Sequence, residues 1–289
     1  SSAASDVYKR QDYIPRQYTC FHVRKRSGGF RYISAPAGDF RSMQQTIYHR
    51  ILLLANIHPA VTGFCPGKSV SDNARVHLGR KNVLKVDLHD FFPSIRSPRV
   101  RAAFREMGYS RSIAKVLAEL CCLRCCLPQG APTSPALSNI IAYPMDKKMM
   151  ALAGEYGLVY TRYADDLTFS GDYLPKDEVL VRIHRIIREE GFTMNVKKTR
   201  FLSEHKRKII TGVSVSSGKK MTLPKVKKRE IRKNVHYVLT KGLVGHQEHI
   251  GSTDPVYLKR LLGSLCYWRS IEPDNRYVSD SITALKRLM

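Results

Sequence analysis

Apolar and polar positions divide this chain into short elements of two periodicities. Residues 18–23 alternate as a strand, Arg24-Lys25-Arg26-Ser27-Gly28-Gly29 interrupts them, and residues 30–36 alternate again, which predicts a β-hairpin with a Gly-Gly turn and a cationic tip. Residues 1–17 are polar and expected to be loosely held. Apolar residues at Met43, Ile47, Ile51 and Leu54 predict a helix over 40–54. A Gly/Pro-rich loop at 62–69 leads into a short helix capped by Ser71 or Asp72, on which Asn73 and His77 share one face. Residues 82–88 form an apolar strand with Asp87 at its end, and Pro93 stops the element. Helices are predicted over 98–107 and 112–123, and the turn-rich Leu127-Pro128-Gln129-Gly130-Ala131-Pro132-Thr133-Ser134-Pro135 opens another over 136–152. Within 160–170, β-branched and aromatic residues flank Ala164-Asp165-Asp166 on both sides, the pattern of strand, tight turn and strand. Val179, Ile183, Ile186 and Ile187 line a helix over 176–190 that Gly191 ends; residues 192–199 return to the sheet and 209–215 add a strand. From 216 onward Lys219, Lys220, Lys225, Lys227, Lys228, Arg229, Arg232 and Lys233 crowd together and lead into helices bearing Tyr237, Tyr257, Tyr267 and Trp268.

This order predicts an α+β fold: an antiparallel split βαβ sheet with helices on one face over residues 1–215, then a small, mainly helical, basic domain over 216–289. In such a topology a strand ending in Asp87 and a hairpin tip holding Asp165 and Asp166 can lie side by side. Adjacent carboxylates are costly without a cation, and an all-oxygen set suits a hard ion, Mg²⁺ or Mn²⁺. Three carboxylates can hold two such ions about 4 Å apart, the geometry of in-line phosphoryl displacement. Singly, each acid has a plainer reading: Asp-Asp pairs decorate solvated turns, and a strand-end Asp often caps a helix.

Composition narrows the class. Hydrophobic residues make up 43% of 289, which excludes wholesale disorder. No apolar run approaches the roughly 20 residues that span a bilayer, and no signal-peptide pattern opens the chain. Against 24 Asp+Glu stand 49 Lys+Arg, a net charge of +25, which points to a polyanion, most often nucleic acid, ahead of an anionic membrane surface or a ribosomal site. The basic stretch after 216 fits phosphate contact with occasional stacking, or simply a solvated face. Seven cysteines, an odd number, argue against a disulfide framework and fit a cytoplasmic location. Cys121, Cys122, Cys125 and Cys126 read as small buried hydrophobes rather than zinc ligands, because a second Cys/His pair is missing. The first residue is Ser, not Met, so the start is expected to be processed, trimmed or left over from expression.

Tyr163-Ala164-Asp165-Asp166 resembles the Y-x-D-D box of reverse transcriptases, and Val86-Asp87-Leu88-His89-Asp90-Phe91-Phe92 their first catalytic box. The stretch 127–135 resembles their nucleotide-binding box, and Gly191-Phe192 with Asn195 and Lys198-Thr199 their fourth, all in the family's order over about 18–215. Asn73-Ala74-Arg75-Val76-His77 and Ile210-Thr211-Gly212 resemble the N-A-x-x-H and V-T-G elements of bacterial retron reverse transcriptases, with Ile in place of Val in the second. The short length, with no maturase, endonuclease or RNase H segment expected after the last basic domain, fits that group.

The resemblance implies a right-hand polymerase with fingers and palm over 1–215 and a thumb over 216–289. It further implies that Asp87, Asp165 and Asp166, with the Leu88 carbonyl, bind two Mg²⁺ ions, Mn²⁺ being a possible substitute. Lys25 and Arg31 would grip the triphosphate, Gln129 and Gly130 would line the nucleotide pocket, Phe92 would gate the sugar, and Lys198 would neutralise or protonate the leaving pyrophosphate. Asn73, His77 and Thr211 are set equally between holding RNA and tying loops together; Lys227, Lys228 and Arg232 would contact RNA phosphates. Implied partners are dNTPs, a structured noncoding RNA (msr-msd) serving as template and primer, its RNA-linked DNA product (msDNA), a host RNase H and an effector or toxin protein in antiphage defence, with no membrane. The alternatives are another bacterial reverse transcriptase of abortive-infection, diversity-generating or stand-alone defence type, or a non-catalytic RNA-binding scaffold that restrains a toxin.

Overall fold

The computed structural model describes residues 14, 16–25 and 28–288; the expectation for 1–17 falls almost wholly outside these, as do Arg26 and Ser27 of the hairpin tip. In chain order the elements are β1 (Tyr18–Arg24), β2 (Phe30–Pro36), α1 (Gly38–Arg50), α2 (Val70–Arg75), β3 (Asn82–Asp87), α3 (Phe91–Ser94), α4 (Ser97–Glu106), α5 (Arg111–Cys121), α6 (Ser134–Ile141), α7 (Tyr143–Glu155), β4 (Val159–Tyr163), β5 (Asp166–Gly171), α8 (Lys176–Glu189), β6 (Arg200–Leu202), β7 (Ile209–Ile210), β8 (Val213–Ser214), α9 (Lys225–His249), α10 (Tyr257–Ile271) and α11 (Arg276–Lys286).

The chain forms two compact units, Ser1–Lys68 with Leu84–Phe201 and Ser69–Val83 with Leu202–Met289. The expected boundary near 216 therefore moves to 201, and residues 69–83 join the second unit. Packing explains the shift: Ala74 and Val83 share a core with Ile210, Val213, Val235 and Trp268.

Three local expectations change. The helix predicted over 136–152 is two helices, α6 and α7, meeting at Ala142, because Pro144 in the first turn of α7 cannot donate into the preceding ladder. Residues 192–199 do not form a strand; Met194 makes a single antiparallel bridge to Leu88, the chain passes through a 3-10 turn at Val196–Lys198, and Arg200–Leu202 then joins the sheet as a strand. The strand predicted over 209–215 is a hairpin, β7 and β8, turned at Thr211 and Gly212 with φ of 45° and 84°. Positive φ at both loop residues matches the right-handed strand twist, so a two-residue turn closes here.

In the first unit β1 and β2 pair antiparallel, and a four-stranded sheet runs in the order β4-β5-β3-β6. Side-chain alternation sorts that sheet into two faces. Leu84, Val86 and Leu88 of β3 and its continuation, Tyr160 of β4, and Leu167 and Phe169 of β5 enter one core with Met145, Met149 and Leu152 of α7 and Val179, Ile183 and Ile187 of α8. Lys85, Asp87 and Asp166 have the opposite parity. The helices therefore pack against the apolar face, and the acids stand on the other.

Candidate active site

The end of β3 and the tip of the β4–β5 hairpin are hydrogen bonded to each other, Leu88 N donating to the Asp165 carbonyl at 2.9 Å. Tyr163 pairs with Asp166, so Ala164 and Asp165 are the whole loop, and Ala164 takes a φ of 57°. Burial pushes the Asp165 carboxyl above its usual range, and the charges of Asp166 and Asp87 push it further. Asp166 is also raised, by burial first and then by Asp87, while Lys85 and Lys198 oppose the shift. Asp87 is buried, and Lys198 Nζ donates to both its carboxylate oxygens at 3.0 Å. Burial disfavours the Lys198 charge, yet the bond to Asp87 and the charges of Asp87, Asp165 and Asp166 together outweigh it and hold its pKa up. The chain delivers Lys198 through a short backbone relay: Asn195 N donates to the Asp87 carbonyl at 2.7 Å, and the 3-10 turn then swings Lys198 over the carboxylate.

Buried polar groups hold the hairpin from beneath, and sequence reasoning missed them. Arg162 and Asp146 are both fully buried, with Arg162 Nε and Nη2 donating to the two Asp146 oxygens at 2.8 and 2.7 Å. Arg162 Nη1 donates to the Ala164 carbonyl and to Asn139 Oδ1, both at 3.1 Å. Asn139 Nδ2 in turn donates to the Gly63 carbonyl at 2.9 Å, and the Tyr160 hydroxyl donates to Asp146 Oδ1 at 2.8 Å. Gly63 lies so close to the hairpin that a Cβ there would stand 2.5 Å from Ala164 N, so only glycine fits. The one available signal was parity: Arg162 shares the apolar face with Tyr160, where a charge needs a buried partner.

Other expected site residues cluster around this core. Phe92, half-buried, stands 5.9 Å from Phe64, which is 6.4 Å from Tyr163, making an aromatic group beside the hairpin tip. Gln129 and Gly130 meet the β1–β2 hairpin: Ser34 N donates to the Gln129 carbonyl at 2.7 Å, and a Cβ on Gly130 would stand 2.9 Å from Ile33 Cγ2. Arg31 has the parity of Ile33 and so faces the Gly130 side; Lys25 follows β1 directly and is exposed.

The expected RNA contacts belong to the second unit, and several are built otherwise than expected. Helix α2 is capped by Ser69, whose hydroxyl and the Asp72 carboxylate form a reciprocal box, rather than by Ser71 or Asp72. Asn73 is buried, its Nδ2 donating to Thr211 Oγ1 at 3.3 Å, and Thr211 Oγ1 donates to the Val70 carbonyl at 3.1 Å. His77 lies beyond the end of α2, fully buried, its pKa pushed down to about 3 by burial and then by Arg80. Asn73 and Thr211 brace the β7–β8 turn against α2, and neither Asn73 nor His77, both buried, offers RNA a surface. Because His77 stays neutral when folded but takes a proton near 6.5 when unfolded, its contribution is complete above that pH and lost as pH falls toward 3. His77→Gln should flatten the loss of stability over that window, by up to roughly 1.4 kcal/mol per pH unit, in denaturant unfolding at stepped pH.

Lys228 pairs with Glu272 at 2.7 Å and lies 5.6 Å from the Trp268 ring. Arg232 lies over Trp268 and Tyr277 at 5.5 and 5.0 Å, and Lys227 pairs with Glu230 at 3.5 Å. Trp268 is fully buried, so the expected interleaved aromatic supports cations from inside rather than stacking on bases. Lys225, Arg229 and Lys233, four residues apart, are exposed along one side of α9.

The donor chemistry fits a divalent cation. The cluster consists of oxygen ligands, two of them disfavoured as anions by burial and by neighbouring carboxylates, and an ammonium already serves Asp87 as counterion. Among the described residues no three His, Cys, Asp or Glu side chains are drawn up around one point. That holds for the acids, where Lys198 is bonded to Asp87, and for the cysteines, of which Cys121 and Cys122 are buried and Cys125 is exposed.

Residues 23–237 match the family model described as reverse transcriptase (RNA-dependent DNA polymerase). The chain belongs to the reverse transcriptase family. Its relatives there include the Retron Mx65 reverse transcriptase of Myxococcus xanthus, 35% identical over 279 residues, covering 90% of this chain and 62% of the relative. Another is the Retron Ec86 reverse transcriptase of Escherichia coli, 35% identical over 238 residues and covering 81% of this chain and 73% of the relative. The chain thus spans about three-fifths to three-quarters of these curated relatives. A solved telomerase of Candida tropicalis, in complex with a TWJ fragment of telomeric RNA, shares the fold at a TM-score of 0.50 and 13% identity, covering 90% of this chain and 55% of that one. The architecture is that of right-hand polymerases, and among the described residues no helix is long and apolar enough to cross a membrane.

Proposed function

We propose that the chain is a retron-type RNA-directed DNA polymerase. The observation that carries this reading is that Asp87 and Asp166 share one sheet face, with Asp165 in the adjoining loop near enough to feel both charges and Lys198 as resident counterion, in a chain of this family. Asp87, Asp165 and Asp166, with the Leu88 carbonyl, would hold two Mg²⁺ ions. Bound there, such ions lower the pKa of an attacking hydroxyl and offset charge on the departing phosphates. The primer hydroxyl forms its bond to the α-phosphorus as the bond to pyrophosphate breaks. Lys198, released from Asp87, would neutralise or protonate that leaving group. Lys25 and Arg31 take the outer phosphates, and Gln129 and Gly130 line the pocket. Phe92 presents a flat apolar ring to the sugar, offering a 2′-hydroxyl neither partner nor room. Phe92→Ala should narrow the preference for dNTP over NTP about tenfold or more in single-nucleotide incorporation, and unchanged selectivity would remove the gate role.

On the resemblance to retron reverse transcriptases, a structured noncoding RNA would serve as both template and primer, with synthesis from a guanosine 2′-hydroxyl giving RNA-linked DNA. On the same resemblance a host RNase H trims the template, and the complex acts in the cytoplasm with an effector protein in antiphage defence. In the second unit the exposed Lys225, Arg229 and Lys233, with Lys227 and Arg232, are proposed to contact RNA phosphates; Asn73, His77 and Thr211 act by keeping that unit in shape. Sequencing the nucleic acid that co-purifies from the native host tests the reading. An RNA-linked DNA of one defined sequence is expected; RNA alone from an active enzyme would point to another kind of reverse transcriptase.

A further inference from the structure

Register divides the β1–β2 hairpin into two unlike faces. Phe21 pairs with Ile33 and Val23 with Arg31, the face that meets Gly130. Cys20 pairs with Ser34, His22 with Tyr32 and Arg24 with Phe30, and this second face has no part in the site described above. His22 meets Tyr32 edge-on at 4.3 Å and Phe30 at 6.1 Å, forming a single ring cluster. Phe30 and Tyr32 are 66% and 59% exposed, bare enough to seat a flat ligand. Between Tyr18 and Pro36 the chain carries Arg24, Lys25, Arg26 and Arg31 and no acidic residue.

We infer that the His22–Tyr32–Phe30 face is a stacking platform for unpaired bases of the RNA strand about to be copied. Aromatic rings take up unpaired bases of any sequence, and flanking cations follow the phosphates. Duplex RNA has its bases already stacked and gains nothing from the rings. A second copy of a chain with a net charge of +25 is repelled from this acid-free hairpin. Because the opposite face abuts the Gln129–Gly130 loop, bases held here lie one hairpin thickness from the nucleotide pocket. The inference rests on the polymerase reading for which strand is bound, but its test does not need catalysis.

The test measures binding of a fluorescently labelled, unpaired oligoribonucleotide to the full chain over a series of salt concentrations. The double variant Phe30→Ala with Tyr32→Ala should bind the single strand roughly tenfold or more weakly. Its log–log salt slope should be unchanged, because no charge is lost, and its affinity for duplex RNA should hold. Tyr32→Trp should keep full affinity, and Arg24→Ala should lower the slope by about one. Unchanged single-strand affinity in the double variant would overturn the inference. So would an equal loss on duplex, or a loss of self-association in sedimentation without a loss of RNA. Primer extension by the same variant on a template with no unpaired overhang beyond the copied base should persist; if it does while binding is unaltered, the platform falls and the polymerase reading stands.

Discussion

Asp165→Asn is expected to abolish DNA synthesis, by at least about 10³-fold or roughly 4 kcal/mol of barrier, while RNA binding stays close to that of the unaltered chain. The amide keeps the carboxylate's size but not its charge. Burial and the neighbouring Asp166 and Asp87 already oppose ionisation at this position, so removing the charge relieves the fold. The variant should therefore melt no lower than the parent. Primer extension, filter binding and thermal unfolding on one preparation check all three. Loss of synthesis and binding together would mean that Asp165 is a structural acid.

The second large effect lies beneath the hairpin. Arg162→Met leaves Asp146 buried and unpaired and should cost roughly 3–5 kcal/mol. Adding Asp146→Leu removes the orphaned charge and should recover most of that stability, since apolar replacement of a buried pair is often nearly neutral. Synthesis should not return. The Ala164 carbonyl and Asn139 lose their donor in either variant, and the loop that presents Asp165 keeps only its strands and the Leu88 N bond to the Asp165 carbonyl. Denaturant unfolding and incorporation kinetics separate the two outcomes; synthesis that recovers along with stability would confine the pair to a packing role.

These contrasts show which features the chain announces locally. The hairpin tip and the strand ending at Asp87 were readable because each rests on alternation within a few residues. The Arg162 network was not, because its partners Asp146, Asn139 and Gly63 come from distant parts of the chain and only packing brings them together. Thr211-Gly212 looked like strand because Thr and its β-branched neighbours favour extended backbone, whereas the turn depends on φ values no propensity reveals. Pro144 did carry the break between α6 and α7 in plain view. The basic stretch misled differently: its composition suggested stacking aromatics, but which side of a helix is buried depends on the core, and the core takes Trp268. Lys198 was expected at the pyrophosphate; its bond to Asp87 adds a resting role that no motif describes.

The claim on which the account turns is that the three aspartates hold divalent ions once Lys198 gives way. Anomalous scattering from a complex with Mn²⁺ and a dNTP addresses it directly. Two manganese peaks touching Asp87, Asp165 and Asp166, with Lys198 Nζ moved off Asp87, are predicted. Manganese bound elsewhere, with Lys198 still joined to both Asp87 oxygens in an enzyme that turns over, would contradict it.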